Sequence, residues 1–390
     1  MAATSARTRR KAQSAADALL GGLAVARFLR RFWQMEALLV RGAVAGFRDL
    51  FTAAELFALA RRDDVESRLV VRAGTRWSLE HGPFRRADFA ALPARNWTLL
   101  VQGVNLASAQ ADALLRRFAF LPYARLDDLM VSYAAPGGGV GPHVDSYDVF
   151  LLQGLGRRRW RYGRQDDVAL RPRLPLKILE RFAPQHDDIL AAGDMLYLPP
   201  RYAHDGVAID PCITYSIGFR AASAEELAGA FLDFLHDELS IPGRYADPDL
   251  APVREPAGID AAMRRRCEAM LKRIRWNRAT IERFLGCWLS EPNASVAFDP
   301  PGAPLSRAAF GARAATRGVR LDTRTQLLYD PRHLFINGSA LRWPEGGGRT
   351  LKQLANDRTL PPLAARRAHP NASKILYTWY RDGYLHTDPA

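Results

Sequence analysis

Only three cysteines occur in the 390 residues, at positions 212, 267 and 287. No two stand in Cys-x-x-Cys spacing, which excludes a zinc-bearing module and a disulfide framework and fits a reducing, cytoplasmic setting. Lysine is scarce as well, present only at 11, 177, 272, 352 and 374, so the formal net charge of +14 is carried almost wholly by arginine. A surplus of that size attracts acidic partners, nucleic acid among them; a coding preference for arginine produces the same number. Long apolar runs are missing too. The run at 19–26 follows a basic stretch at 7–11 and so imitates a secretory leader, yet it is far short of the about 20 residues that span a bilayer. Asp17 precedes it, Arg27, Arg30 and Arg31 follow at once, and no small-x-small cleavage pattern is present. Neither export nor a membrane partner is expected. Residues 1–16 read as a flexible basic tail.

What is present is an ordinary globular balance, 48% hydrophobic and 25% charged, in a chain too long for one comfortable core. Two or three domains are expected. The stretch that organises them runs over 129–219. In an extended strand alternate side chains share a face, so His143 and Asp145 aim at one point while Val144 packs behind them. A turn at Ala192-Gly193-Asp194 and a short apolar strand at 195–198 lead to Pro199 and Pro200, which stop the pairing, and His204 follows. Two imidazoles and one carboxylate, with the opposite side open, form the ligand set of non-haem Fe(II) oxygenases. A His-x-Asp pair alone fits a surface loop equally well, so its context decides.

That context is the segment 148–163. An apolar run, Val149-Phe150-Leu151-Leu152, a turn at Gly154-Leu155-Gly156 and a return over 157–162 read as a hairpin. In the return, Arg157, Arg159 and Arg161 share one face, and Arg158 shares the other with Trp160 and Tyr162. A buried guanidinium is costly unless an acceptor meets it. Either a distant acid pairs with Arg158, or a ligand carboxylate does, matched by the planar fork of arginine. Just upstream, Met130, Ser132 and Ala134 share a strand face, which lets Ser132 point inward; a self-satisfied strand serine is the plainer reading. The glycines at 137–141 lack the Gly-Lys-Ser/Thr ending of a phosphate loop and read instead as flexible backbone turning into the His143 strand. His81, in a Gly-Pro turn, reads as structural rather than as a fourth ligand.

These residues carry a resemblance. Leu129-Met130-Val131-Ser132-Tyr133, Pro136-Gly137-Gly138-Gly139-Val140-Gly141-Pro142-His143-Val144-Asp145, Gly156-Arg157-Arg158-Arg159-Trp160 and Gly193-Asp194-Met195-Leu196-Tyr197-Leu198-Pro199-Pro200 closely resemble the bacterial ribosomal oxygenases of the JmjC, cupin-like group. Arg76-Trp77-Ser78, His81-Gly82-Pro83-Phe84 and Asn96-Trp97 extend the match upstream. The pattern is similar to the arginine-specific branch, whose substrate is the sixteenth large-subunit ribosomal protein. By resemblance His143, Asp145 and His204 hold Fe(II), Ser132 and Arg158 hold the distal carboxylate of 2-oxoglutarate, dioxygen is the second cosubstrate, and the product is an arginine hydroxylated at its β-carbon. A cationic substrate wants carboxylates near the mouth, and Asp127, Asp128, Asp148 and Asp205 are unranked candidates. A histidine hydroxylase or a demethylase shares the iron chemistry; the demethylase is weakened because three scattered cysteines leave no zinc-bearing reader. From another class, a ribosome- or RNA-binding protein that has lost catalysis stays open.

The expected fold is mixed α/β: a double-stranded β-helix (jelly roll) over 17–221, a helical module over 222–293 and a winged-helix-like α+β unit over 294–390. Thr52 and Glu55 form a capping-box sequence for a helix to 59, and Ser108 is an N-cap candidate for a helix to 118. Ser223 to Glu226 is a second capping box, followed by apolar stripes at helical spacing. The resemblance implies a homodimer interface in that helical module. Short strands near 318–321, 326–329 and 334–336, with Asn337-Gly338 as a hairpin turn, mark the last unit; its likeness to a winged helix suggests nucleic-acid contact, ribosomal RNA included.

Overall fold

The structure, a computed structural model, describes residues 16–252 and 254–387. Of the expected basic tail only Ala16 lies within the described residues, and it is buried.

Alternating patterns and Gly/Pro turns give strands β1 (Leu38–Val40), β2 (Ser67–Ala73), β3 (Arg76–His81), β4 (Trp97–Val101), β5 (Leu126–Ala134), β6 (His143–Val144), β7 (Asp148–Gln153), β8 (Arg158–Arg164), β9 (His186–Leu190), β10 (Met195–Leu198), β11 (Tyr202–Ala208) and β12 (Cys212–Phe219). They form two sheets, ordered β1-β10-β7-β12-β5-β4-β2-β3 and β6-β11-β8-β9. Every pairing within them is antiparallel. The two sheets face each other as the expected jelly-roll sandwich.

The local signals hold where side chains cap backbone. Thr52 accepts from the Glu55 amide while the Glu55 carboxylate accepts from the Thr52 amide, opening the helix Ala53–Leu59. Ser108 caps the helix Ala109–Arg116. Behind the larger sheet lies an aromatic core in which Phe28, Phe118, Phe150, Tyr197 and Phe219 are fully buried. Such rings bury the largest apolar areas available to a chain.

The segment 148–163 is not a hairpin. β7 pairs with β10 and β12 in the larger sheet, whereas β8 pairs with β9 and β11 in the smaller one. The glycine turn at 154–156 therefore carries the chain from one sheet to the other. All six residues of β7 are buried, while β8 alternates. A continuous apolar run marks a strand covered on both faces, and an alternating one marks a strand half covered. The difference between the runs was the available clue that they belong to different sheets.

After β12, the helix Ala224–Glu238 starts at a Ser223 capping box. The helix Ala261–Leu271 buries none of its residues. The helix Arg278–Ser290 buries Phe284 and lies across a three-stranded sheet of β14 (Leu327–Tyr329), β15 (His333–Ile336) and β16 (Ser339–Arg342), which follow β13 (Val319–Leu321). A second core, with Phe310, Leu334, Leu351, Leu376 and Trp379, closes this C-terminal unit. It is fastened to the sandwich by Thr323 Oγ1 donating to the Leu106 carbonyl at 2.8 Å, by Tyr123 Oη donating to the Asn356 carbonyl at 3.0 Å, and by Arg358 beside Asp112 at 3.6 Å.

Candidate active site

β6 and β11 are paired neighbours, with His143 directly opposite His204. Their rings stand 4.2 Å apart between centroids. Asp145, just beyond β6, completes the group: its carboxylate lies 3.9 Å from His143 Nε2 and 3.6 Å from His204 Nε2. One donor atom from each residue falls within 4.8 Å of the others. Bonds of about 2.1 Å put neighbouring ligand atoms about 3 Å apart around a first-row ion, so the trio closes on a cation by small side-chain movements.

The imidazoles are prepared for that task. His143 Nδ1 lies 2.9 Å from the Gly141 carbonyl and His204 Nδ1 3.0 Å from the Tyr202 carbonyl. Each bond assigns the proton to Nδ1 and leaves Nε2 with a lone pair facing Asp145, the backbone partner that metal-binding histidines use to fix tautomer and ring direction. Burial, and next the neighbouring His143, push His204 down to about 4, so it is neutral across the ordinary range. The glycine-rich loop matters here as expected: Gly141 has φ +79° and supplies the carbonyl that orients His143.

Arg158 faces this trio from β8. It is 4% exposed. Nη1 donates to Ser132 Oγ at 3.0 Å and to Thr214 Oγ1 at 3.1 Å, and its guanidinium lies 5.3 Å from the Trp160 ring. Nε has no partner, and among the described residues no carboxylate comes within ion-pair distance. The distant-acid reading of Arg158 therefore fails on geometry. Two hydroxyl bonds of about 1.5–3 kcal/mol each leave this cation without a countercharge, against several kcal/mol for its desolvation; a carboxylate beside it would complete the balance.

Thr214 was missed in the sequence. It lies opposite Ser132 on one side and Gln153 on the other, so the three make one row across β5, β12 and β7. The Thr214 hydroxyl accepts from Arg158 and donates to Gln153 Oε1 at 3.1 Å, while Gln153 Nε2 donates to the carbonyls of Leu155 and Ile213. Inside a run of eight buried residues a threonine gives no signal of its own; only register reveals the row.

The four unranked acids separate cleanly. Asp148 is fully buried and accepts from Tyr197 Oη at 2.6 Å and Gln34 Nε2 at 3.0 Å, which makes it part of the scaffold. Asp205 pairs with Arg161, a residue of the opposite face of β8, and Asp127 with Arg220. Asp128 alone has no cation within ion-pair distance; Gln102 Nε2 at 2.6 Å and the Gly103 amide at 3.0 Å hold one of its oxygens. Burial, then the nearby Asp127, raise it to about 6. Tyr147 lies near both Asp128 and Asp145, its phenol pushed up by burial and then by those two carboxylates. His81, at the end of β3, is exposed and stands outside the trio.

Comparison with known proteins agrees with this arrangement. The JmjC domain family matches residues 113–227 and the ROXA-like winged helix family residues 273–386. The chain is 38% identical over 279 residues to the ribosomal protein uL16 3-hydroxylase of Escherichia coli K12, covering 71% of this chain and 74% of that protein. Over 218 residues it is 30% identical to ribosomal oxygenase 1 of Gallus gallus, covering 50% and 35%. The X-ray structure of E. coli ycfD superposes with a TM-score of 0.80 at 32% identity, covering 93% of this chain and 98% of that one. The structure of the same ribosomal oxygenase with cobalt and 2-oxoglutarate superposes at 0.78 and 31%, with the same coverage.

Replacing Asp145 with Ala removes the only carboxylate between the two imidazoles. Titration with Mn(II), followed by electron paramagnetic resonance, should show at least about a tenfold loss of affinity, and circular dichroism should show an unchanged fold.

Proposed function

The chain belongs to the JmjC-domain ribosomal oxygenases, and from that premise we propose that it hydroxylates the ribosomal protein uL16 at the β-carbon of an arginine. It is a 2-oxoglutarate- and Fe(II)-dependent enzyme. His143, Asp145 and His204 are the residues that hold the iron, and Ser132, Arg158 and Thr214 those that receive the distal carboxylate of 2-oxoglutarate. The observation that carries the reading is the buried guanidinium of Arg158, with no carboxylate in ion-pair reach among the described residues, separated from the three donors by the Trp160 ring, which lies 5.3 Å from that guanidinium and 5.9 Å from the His204 ring.

Bound there, iron with 2-oxoglutarate would activate dioxygen, one atom of which would enter a C–H bond and the other succinate, with carbon dioxide released. The chain itself supplies position and charge. Arg158 and the row behind it anchor one end of the cosubstrate at a fixed distance from the two imidazoles. The apolar, buried walls around Trp160 and Leu198 keep water from the reacting carbon. Asp128, held but unpaired, offers a carboxylate to the cationic side chain of the substrate, and Tyr147 lies near both that carboxylate and Asp145.

Two partners belong to the same proposal. Leu232, Ile259, Leu271 and Trp276 are each more than half exposed, so the helical stretch presents an apolar face that a second copy of the chain covers, giving a homodimer. The arginine surplus suits contact with ribosomal RNA near the substrate. No helix among the described residues is long and apolar enough to cross a membrane. A cytoplasmic setting accords with the substrate.

The direct test is incubation of the iron-loaded protein with uL16 and 2-oxoglutarate. Mass spectrometry should show one added oxygen on one arginine; an addition on histidine, or loss of a methyl group, would select one of the sister chemistries instead. Thr214→Val deletes one of two hydroxyl partners of Arg158, worth at least about 1.5 kcal/mol to a charged donor, and should raise the KM for 2-oxoglutarate about tenfold with little change in that for uL16. Because the Asp128 carboxyl ionises only above about 6, its pairing with a cationic substrate is present above that value and lost as the pH falls through it. The KM for uL16 should accordingly climb on the acid side, and Asp128→Asn should raise it throughout and flatten its dependence on pH.

A further inference from the structure

A cleft of about 490 Å³ lies between the sandwich and the C-terminal unit, apart from the cavity of the metal-ligand trio. Glu66, Arg68, Gln102 and Asp128 line its sandwich side, and the segment 292–299 with Arg324 and Gln326 lines the other. The walls are fixed relative to each other, since Thr323 bonds to the Leu106 carbonyl and Arg358 lies beside Asp112. Segment 103–107, which Thr323 grips, also presents the Gly103 amide to Asp128 and the Asn105 amide oxygen to the Leu129 amide. The C-terminal unit is thereby coupled to the strand that carries Asp128.

The charges of the cleft do not cancel locally. Arg62 pairs with Asp64, Arg220 with Asp127 and Arg324 with Asp299. Arg68 donates to Gln102. Among the described residues Glu66 and Asp128 have no cation in ion-pair reach and Arg68 has no carboxylate, so the five acids and four arginines of the lining leave one negative charge in excess. A negative excess in a cleft of a chain with net charge +14 disfavours phosphate and attracts cationic side chains.

We propose that this cleft docks a basic stretch of the substrate polypeptide flanking the hydroxylated residue, with the C-terminal unit as its far wall. The inference rests on the hydroxylase reading for the identity of the polypeptide. It extends recognition beyond the modified side chain: Asp128 and the exposed Glu66 line one wall of the cleft and Gln326 belongs to the other.

The test uses the full chain and two fluorescent uL16 peptides centred on the target residue, one with its native flanks and one with the flanking Lys and Arg replaced by Ser. Anisotropy measures binding and mass spectrometry measures hydroxylation in the same samples. The wild type should bind the basic peptide more tightly. Glu66→Gln should weaken that binding about threefold and Glu66→Arg about tenfold, with Gln326→Arg acting in the same direction from the far wall, while the neutral-flank peptide responds to none of them. Added salt should shrink the difference between peptides. An undiminished preference in both Glu66→Arg and Gln326→Arg, or displacement of the basic peptide by single-stranded RNA alone, would overturn the docking proposal. Binding that follows the expected pattern without added oxygen would leave the groove standing and count against the hydroxylase reading.

Discussion

A guanidinium buried between two sheets is the constraint around which this sandwich is arranged. Arg158 leaves the smaller sheet and meets Ser132 and Thr214 of the larger one, so the sheets are joined across the cavity by a cation rather than by apolar packing alone. The fold supplies two hydroxyl acceptors and an aromatic face but no countercharge. An anionic cosubstrate, as proposed, would balance that charge, and the row Ser132, Thr214, Gln153 is fully hydrogen-bonded because each polar atom left unpaired at that depth adds to the cost.

The opposite wall is polar for a different reason. His143 and His204 each have one nitrogen tied to a backbone carbonyl, burial keeps His204 neutral, and the Asp145 carboxylate lies between the two rings. Backbone carbonyls of a paired strand and of the loop entering it move less than side-chain partners would. The donors thus hold their direction without an ion. Trp160 stands between the two groups, its ring 5.3 Å from the Arg158 guanidinium and 5.9 Å from the His204 ring.

Much of this was legible beforehand, and the reasons are local. Capping boxes at Thr52 and Ser223 satisfy backbone donors within four residues, so they form wherever the helix does. The parity of Arg157 to Arg161 follows from the pleat of a strand, and the structure keeps it: Arg158 is buried, while Arg157 and Arg159 pair with Asp210 and Asp187 at the surface. The His-Val-Asp alternation survives for the same reason. The hairpin expected at 148–163 did not survive, because a glycine turn states only that the chain bends, and whether it returns to the same sheet depends on partner strands that come later in the chain. The ranking of Asp127, Asp128, Asp148 and Asp205 was equally hidden: each is an aspartate on or beside a strand, and what differs is who stands opposite.

By itself the sequence determined the chemistry this chain can hold: two imidazoles, a carboxylate and an arginine forced inward by strand parity, on a scaffold of short strands separated by glycine and proline. Those follow from bond geometry and periodicity, which act over a few residues. Only the tertiary structure decided that Arg158 finds no acid, that Thr214 and Gln153 stand behind it, and that Asp128 among four aspartates is left without a cation. Burial and charge balance are sums over neighbours brought together by strand register and by the packing of one sheet on another, and no local pattern carries those sums.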